Sequence, residues 1–161
     1  MMTFRVFMAL FLLAGFIGFS ACSDDNTDEM PELPTTTIYA GSPITFEKVD
    51  GADPTDAANQ DRITDNVWIT RGNDGGQIYN AKSENNSNKN SSPAGTQWAV
   101  GNISEVESLT FSDFRDAIKP KDAVGVDMVL FLTEEEIFIP IKFTKWSVGK
   151  NGGFAYERAT E

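Results

Sequence analysis

The chain has 161 residues, 13 Lys+Arg against 24 Asp+Glu, no histidine and one cysteine. The excess of acid argues against nucleic acid, which needs a basic face. The absence of histidine removes the commonest general base and metal ligand, and a lone cysteine excludes intramolecular disulfides.

Residues 1–5 carry one positive charge, Arg5, and residues 6–19 (VFMALFLLAGFIGF) are an unbroken apolar run. About 20 residues are needed to span a bilayer, so the run reads instead as the apolar centre of an export signal. The small residues Ser20 and Ala21 precede Cys22. The sequence Phe19-Ser20-Ala21-Cys22 resembles a bacterial lipobox, with Phe19 where an aliphatic residue is usual. That resemblance implies cleavage before Cys22 and acylation of its sulfur. Several acyl chains would hold the protein durably at a membrane, whereas one anchors only marginally.

Ser23 after the cysteine resembles an outer-membrane sorting signal. The acidic run Asp24-Asp25-Asn26-Thr27-Asp28-Glu29 resembles the Bacteroidetes signal that directs lipoproteins to the outward face of the outer membrane. With Arg5 removed, the mature chain carries 12 − 24 = −12 charges. Residues 22–37 lack apolar periodicity and contain Pro31 and Pro34, which predicts an extended tether. The organisation expected is a signal over 1–21, a lipidated tether over 22–37 and one β domain over 38–161.

Within that domain, residues 44–49 alternate with period two and predict a strand. Residues 50–60 (DGADPTDAANQ) predict a loop broken by Gly51 and Pro54. Residues 67–71 and 77–81 predict a hairpin around the turn 72–76. The polar stretch 82–95 predicts a surface loop, and 96–100 a short strand. Residues 112–118 predict a helix with Ser112 as N-cap and Pro120 beyond its end. Residues 126–132 and 137–146 predict a second hairpin with Ile137, Ile139, Ile141 and Phe143 on one face. Pro140, lacking a backbone donor, predicts an edge strand or a bulge. A final strand is expected at 154–158. Short strands between turns, with one small helix, predict an antiparallel β-sandwich or jelly-roll-like barrel.

Three runs are distinctive: ANQDRITDNVWITRGN at 58–73, SPAGTQWA at 92–99, and KFTKWS at 142–147 with GGFAYER at 152–158. Together they resemble a domain that recurs in secreted and cell-surface bacterial proteins, often beside adhesion modules. The family brings no activity. It often has His where this chain has Phe131, so no catalytic residue is carried over at that position.

For chemistry, Asp50, Asp53, Asp56 and Asp61 are candidate calcium ligands, since a hard cation takes six to eight oxygens. Their spacing does not match an EF-hand, and turn capping would use the same residues. No other cofactor is indicated. Arg71, Tyr79 and Trp98 are candidate ligand-binding residues, an arginine fork for carboxylates and aromatic faces for sugars; aromatics on sandwich strands also build cores. The function expected is an outward-facing, lipid-anchored binding or adhesion module for a glycan or protein. The alternatives are a glycan hydrolase using paired carboxylates, among Asp61, Asp65 and the run Glu134-Glu135-Glu136, and a structural subunit of an envelope complex.

Overall fold

A computed structural model describes residues 36–161. Its elements in chain order are β1 (Thr37–Ile38), β2 (Ile44–Lys48), β3 (Asp61–Arg62), β4 (Trp68–Arg71), β5 (Ile78–Asn80), β6 (Thr96–Val100), α1 (Phe114–Ala117), β7 (Asp127–Leu132), β8 (Ile137–Trp146) and β9 (Phe154–Arg158). Short 3-10 turns occupy Ala57–Asn59, Ile103–Ser108 and Pro120–Asp122. The strands form two sheets, one ordered β2-β9-β8-β7-β6 with β1 alongside β8, the other β3-β4-β5. Every pairing is antiparallel except β1 with β8. The fold is a mainly β sandwich and not a closed barrel.

The expected inward face of β8 is the observed one. Ile139, Ile141 and Phe143 are buried, and they pack in one cluster with Trp98, Met128, Leu130, Leu132, Phe154 and Tyr156 from the large sheet. Val67, Ile69 and Ile78 of the small sheet complete that cluster. A satellite cluster covers the large sheet elsewhere: Phe131 stacks on Phe138 with ring centroids 4.4 Å apart, and Phe111 packs edge-on against both.

Three local expectations differ from the structure. Pro140 lies in a central strand, paired with Val129 on one side, while its carbonyl accepts from Ala159 N on the other (3.2 Å). The donor that proline lacks would have faced the Ala159 carbonyl, which accepts instead from Arg158 Nη1 (3.1 Å); a side chain replaces the missing ladder bond. The bulge falls at Thr144, where the β8–β9 register shifts between Phe143 and Lys145. An added residue moves every later side chain to the other face. Trp146 consequently packs against Phe114, Phe143 and Phe154, and Lys145 turns out to pair with Glu47 at 2.7 Å.

The helix is a single turn, and Ser112 is not its cap. Ser112 extends the sheet edge through reciprocal backbone bonds with Trp98 (2.9 and 3.0 Å). The first helical N–H, on Phe114, donates to the distant Ser92 Oγ at 2.9 Å, and Asp113 Oδ1 accepts from Ser92 N at 2.8 Å. The loop 82–95 is therefore tied to the helix rather than lying free, with Ser92 and Pro93 buried.

Two polar links bind the sheets. Asp61 on β3 accepts from Arg158 on β9 in a bidentate pair (Nε–Oδ2 2.6 Å, Nη2–Oδ1 2.8 Å), and Tyr156 donates its hydroxyl to the same Oδ2 (2.7 Å). All three side chains are buried. At the opposite end of the strands, Arg71 donates to the carbonyls of Gly76, Ser147 and Gly153 and stacks on Trp146 at 4.1 Å. Lys48, fully buried, donates to Asn73 Oδ1 (2.9 Å) and Gly152 O (3.3 Å). Gly152 has φ +73°, and a Cβ there would strike the Gly72–Asn73 backbone and the Asn73 amide; only glycine admits this approach.

Breaking a buried pair strands the other charge, a loss of about 3–5 kcal/mol. Asp61→Asn should lower unfolding stability in urea by that amount. Replacing Asp61 and Arg158 together by Leu should recover part of it, because no buried charge is then left alone. The Tyr156 hydroxyl offers a second test. Burial first, then the adjacent Asp61 carboxylate, push its pKa well above the ordinary phenol value of about 10. Since the folded pKa is the higher, the neutral phenol's contribution is complete below about pH 10 and is lost as pH climbs past it. In phenolate absorbance, one of the three tyrosines should titrate only with global unfolding, and Tyr156→Phe should remove that component.

Candidate functional site

The small sheet has one face in the core and one turned outward. In β4, Ile69 and Arg71 point inward, which leaves Trp68 and Thr70 on the other face. Cross-strand pairing sets Arg62 beside Trp68 and Tyr79 beside Thr70. Two loops build walls over this face. Residues 53–60 fold across Thr70, whose Oγ1 donates to Asn59 O (2.7 Å), and the loop holds itself through Asn59 Nδ2 to Asp53 O and Gln60 Nε2 to Pro54 O (both 2.9 Å). After β5 the chain turns back, and Glu84 Oε2 accepts from Asn80 N (2.8 Å) and Ala94 N (3.0 Å). Asn80 is the hub beneath, with Nδ2 donating to Asn66 O and Ala94 O and Oδ1 accepting from Trp68 N.

Between the loops lies a cleft of about 270 Å³, with Tyr79, Trp68 and Ala81 beneath and Pro54, Thr55, Gln60, Arg62, Glu84 and Asn85 around it. The Arg62 guanidinium stands 4.0 Å and the Lys82 ammonium 4.8 Å from the indole centroid of Trp68. The indole is fixed by Nε1 donating to Thr64 O (3.1 Å). Arg62 also reaches Gln60 Oε1 (3.2 Å). Among the described residues the ion pairs are Lys142–Asp127, Lys145–Glu47 and Arg158–Asp61. Neither cation over Trp68 therefore has a carboxylate partner there, in a chain where acids outnumber bases almost two to one. Burial, followed by Asp74, Asp53 and Glu84, raises the pKa of Tyr79 above the ordinary phenol value.

Of the residues singled out from the sequence, Tyr79 lines this cleft. Trp98 does not: it is fully buried, with Nε1 donating to Thr96 Oγ1 (3.0 Å). Arg71 is likewise occupied with backbone carbonyls, and burial lowers its pKa with Asp50 opposing. Burial also lowers the pKa of Lys48, with the neighbouring Arg71 charge adding to it.

The four aspartates proposed for calcium do not converge. Asp50 accepts from Ser147 Oγ, Asp53 from Thr55 N and Oγ1, and Asp56 caps the turn at Ala58 N (3.0 Å). Asp61 is committed to Arg158. Among the described residues no group of three or more metal-ligating side chains could hold an ion. Turn capping is the use the sequence makes of Asp53 and Asp56. The same commitment removes Asp61 from a hydrolytic pair. Cys22, the signal and most of the tether lie outside the described residues.

Two other cavities are present among the described residues. An apolar groove of about 370 Å³ lies where the chain steps from β1 to β2, lined by Ile38, Tyr39, Pro43, Ile103 and Pro140 among others. A smaller one, about 170 Å³, includes Lys82, Glu134 and Glu135. There Glu135 Oε1 accepts from Thr64 Oγ1 (2.8 Å) and Asn66 Nδ2 (3.2 Å), while Oε2 is buried without a partner among the described residues. The sequence alone did not show that Arg62 and Lys82, twenty residues apart, flank the same tryptophan, from β3 on one side of β4 and from the end of β5 on the other. No family model matches the chain, and neither curated proteins nor solved structures yield a match.

Because the aspartates are spent on turns and the Arg158 pair, chelation should leave the thermal midpoint unchanged, and added calcium should not raise it. A melt with and without EDTA checks this; a fall with EDTA would reveal a cation site these contacts do not supply.

Proposed function

We propose that the chain is a lipid-anchored envelope lipoprotein whose β-sandwich binds a glycan or protein ligand without catalysis, at the cleft over Trp68. One observation carries the reading. The Arg62 guanidinium lines a preformed recess and is held over its indole, and it pairs with no carboxylate of the described residues. Stacking on an aromatic face orients a guanidinium and reduces the freedom lost when it binds. Binding sites of this kind combine an apolar floor with a few convergent polar groups. The anchor rests on the lipobox-like Phe19-Ser20-Ala21-Cys22, and the outward orientation on the acidic run behind it.

The anchor and the cleft are separately testable. Cys22→Ala should abolish incorporation of labelled palmitate and move the protein out of the membrane fraction. Membrane retention without lipid would overturn the anchor. On glycan arrays and in pull-downs of the full chain in detergent, Trp68→Ala should lose the ligands that the wild type retains. Undiminished capture by that variant would overturn the cleft.

A further inference from the structure

We propose that the cleft over Trp68 takes a carboxylate-bearing sugar, a uronate residue of an acidic glycan. The inference rests on the binding reading above and names its ligand class.

The charge argument comes first. Arg62 spends one donor contact on Gln60 Oε1 and is otherwise without an acceptor among the described residues; Lys82 has none. A guanidinium presents a planar fork that matches a carboxylate bidentately. Stacking on Trp68 sets the plane of that fork before any ligand arrives. The chain carries a net charge of −11, which disfavours anions overall. An acidic ligand must then be met locally, and Arg62 is the cation that lines the cleft, with Lys82 against the same indole but lining the neighbouring cavity.

The second argument concerns what else the cleft offers. Thr55, Gln60 and Asn85 place one hydroxyl and two amides around it, and the Tyr79 hydroxyl makes no hydrogen bond among the described residues. Glu84 adds a carboxylate whose Oε2 already accepts two backbone N–H groups. That acid would oppose a run of Asp and Glu side chains, which rules against an acidic peptide. It suits a ring bearing one carboxylate and several hydroxyls, since each hydroxyl is a donor for Glu84 and an acceptor for the amides. The cations over Trp68 also cover the indole that a neutral sugar would stack on, so affinity comes from the carboxylate rather than from the aromatic face. The cleft volume of about 270 Å³ is at the small end for ligand pockets, consistent with one sugar residue gripped at a time.

The test uses the full chain in detergent, titrated with oligogalacturonate, alginate oligomers and glucuronate-containing oligosaccharides, beside methyl-esterified oligogalacturonate and neutral galactose oligomers. Binding is read by calorimetry and by tryptophan fluorescence. At least one uronate should bind, with its ester or neutral counterpart weaker by about tenfold or more, a difference of one decade in Kd. Arg62→Gln, at an exposed position, should weaken the uronate by a similar factor while circular dichroism and the thermal midpoint stay unchanged. Equal binding of acid and ester, or Arg62→Gln without effect, would overturn the uronate assignment. Neutral-sugar or protein capture that is lost in Trp68→Ala would also overturn it and leave the binding module standing. No binding of any panel member, with no Trp68-dependent capture in pull-downs, would remove both.

Discussion

The buried carboxylate of Asp61 is the constraint on which the arrangement depends. A charge removed from water is tolerated only when every lone pair finds a partner. Here Arg158 supplies a bidentate fork and Tyr156 a hydroxyl. Those partners sit on the large sheet and the aspartate on the small one, so satisfying the charge fixes how the sheets are placed. Apolar burial alone would press the sheets together without specifying this register. Arg158 shows the balance: burial works against its charge, yet the hydrogen-bonded Asp61 carboxylate outweighs burial and raises its pKa above the ordinary value.

The far end of the strands is secured by different chemistry. Lys48 and Arg71 are buried cations without a carboxylate inside hydrogen-bond range among the described residues, and peptide carbonyls at Gly76, Ser147, Gly152 and Gly153 take their place. Carbonyl dipoles compensate less fully than a carboxylate would, which is why both pKa values fall. The return is positional. The β8–β9 turn is held onto the β4–β5 turn, with Gly152 allowing close contact. An inward charge on β2, an edge strand of the large sheet, also discourages pairing with another chain.

Strand alternation couples this scaffold to the cleft. Asp61 and Arg62 are adjacent, so the residue that locks the sheets together necessarily turns its neighbour outward beside Trp68. In the same way Arg71 faces the interior while Thr70 faces the 53–60 loop. Loosening the Asp61–Arg158 pair would therefore disturb the Arg62 guanidinium, and with it the cleft, from a position outside the cleft.

The positions of every strand but the two-residue β1 and β3, the turns and the inward face of β8 were legible in the sequence, because period-two alternation and Gly, Asn and Pro breakers act over a few residues. The run at 6–19 and the residues before Cys22 resemble an export signal and lipobox, lie outside the described residues, and carry placement only as a proposal. The bulge at Thr144, the replacement of a proline's ladder bond by Arg158 and the capping of Phe114 by Ser92 were decided by the tertiary structure. So was the cleft: Asp61 meets Arg158 across 97 positions of chain, and Arg62 comes to stand over Trp68 across the β3–β4 pairing. Local pattern states which way a side chain points, but its partner is chosen by which strands lie opposite. Charges that read alike in sequence thus divided into turn caps, a buried lock and a guanidinium open to the cleft.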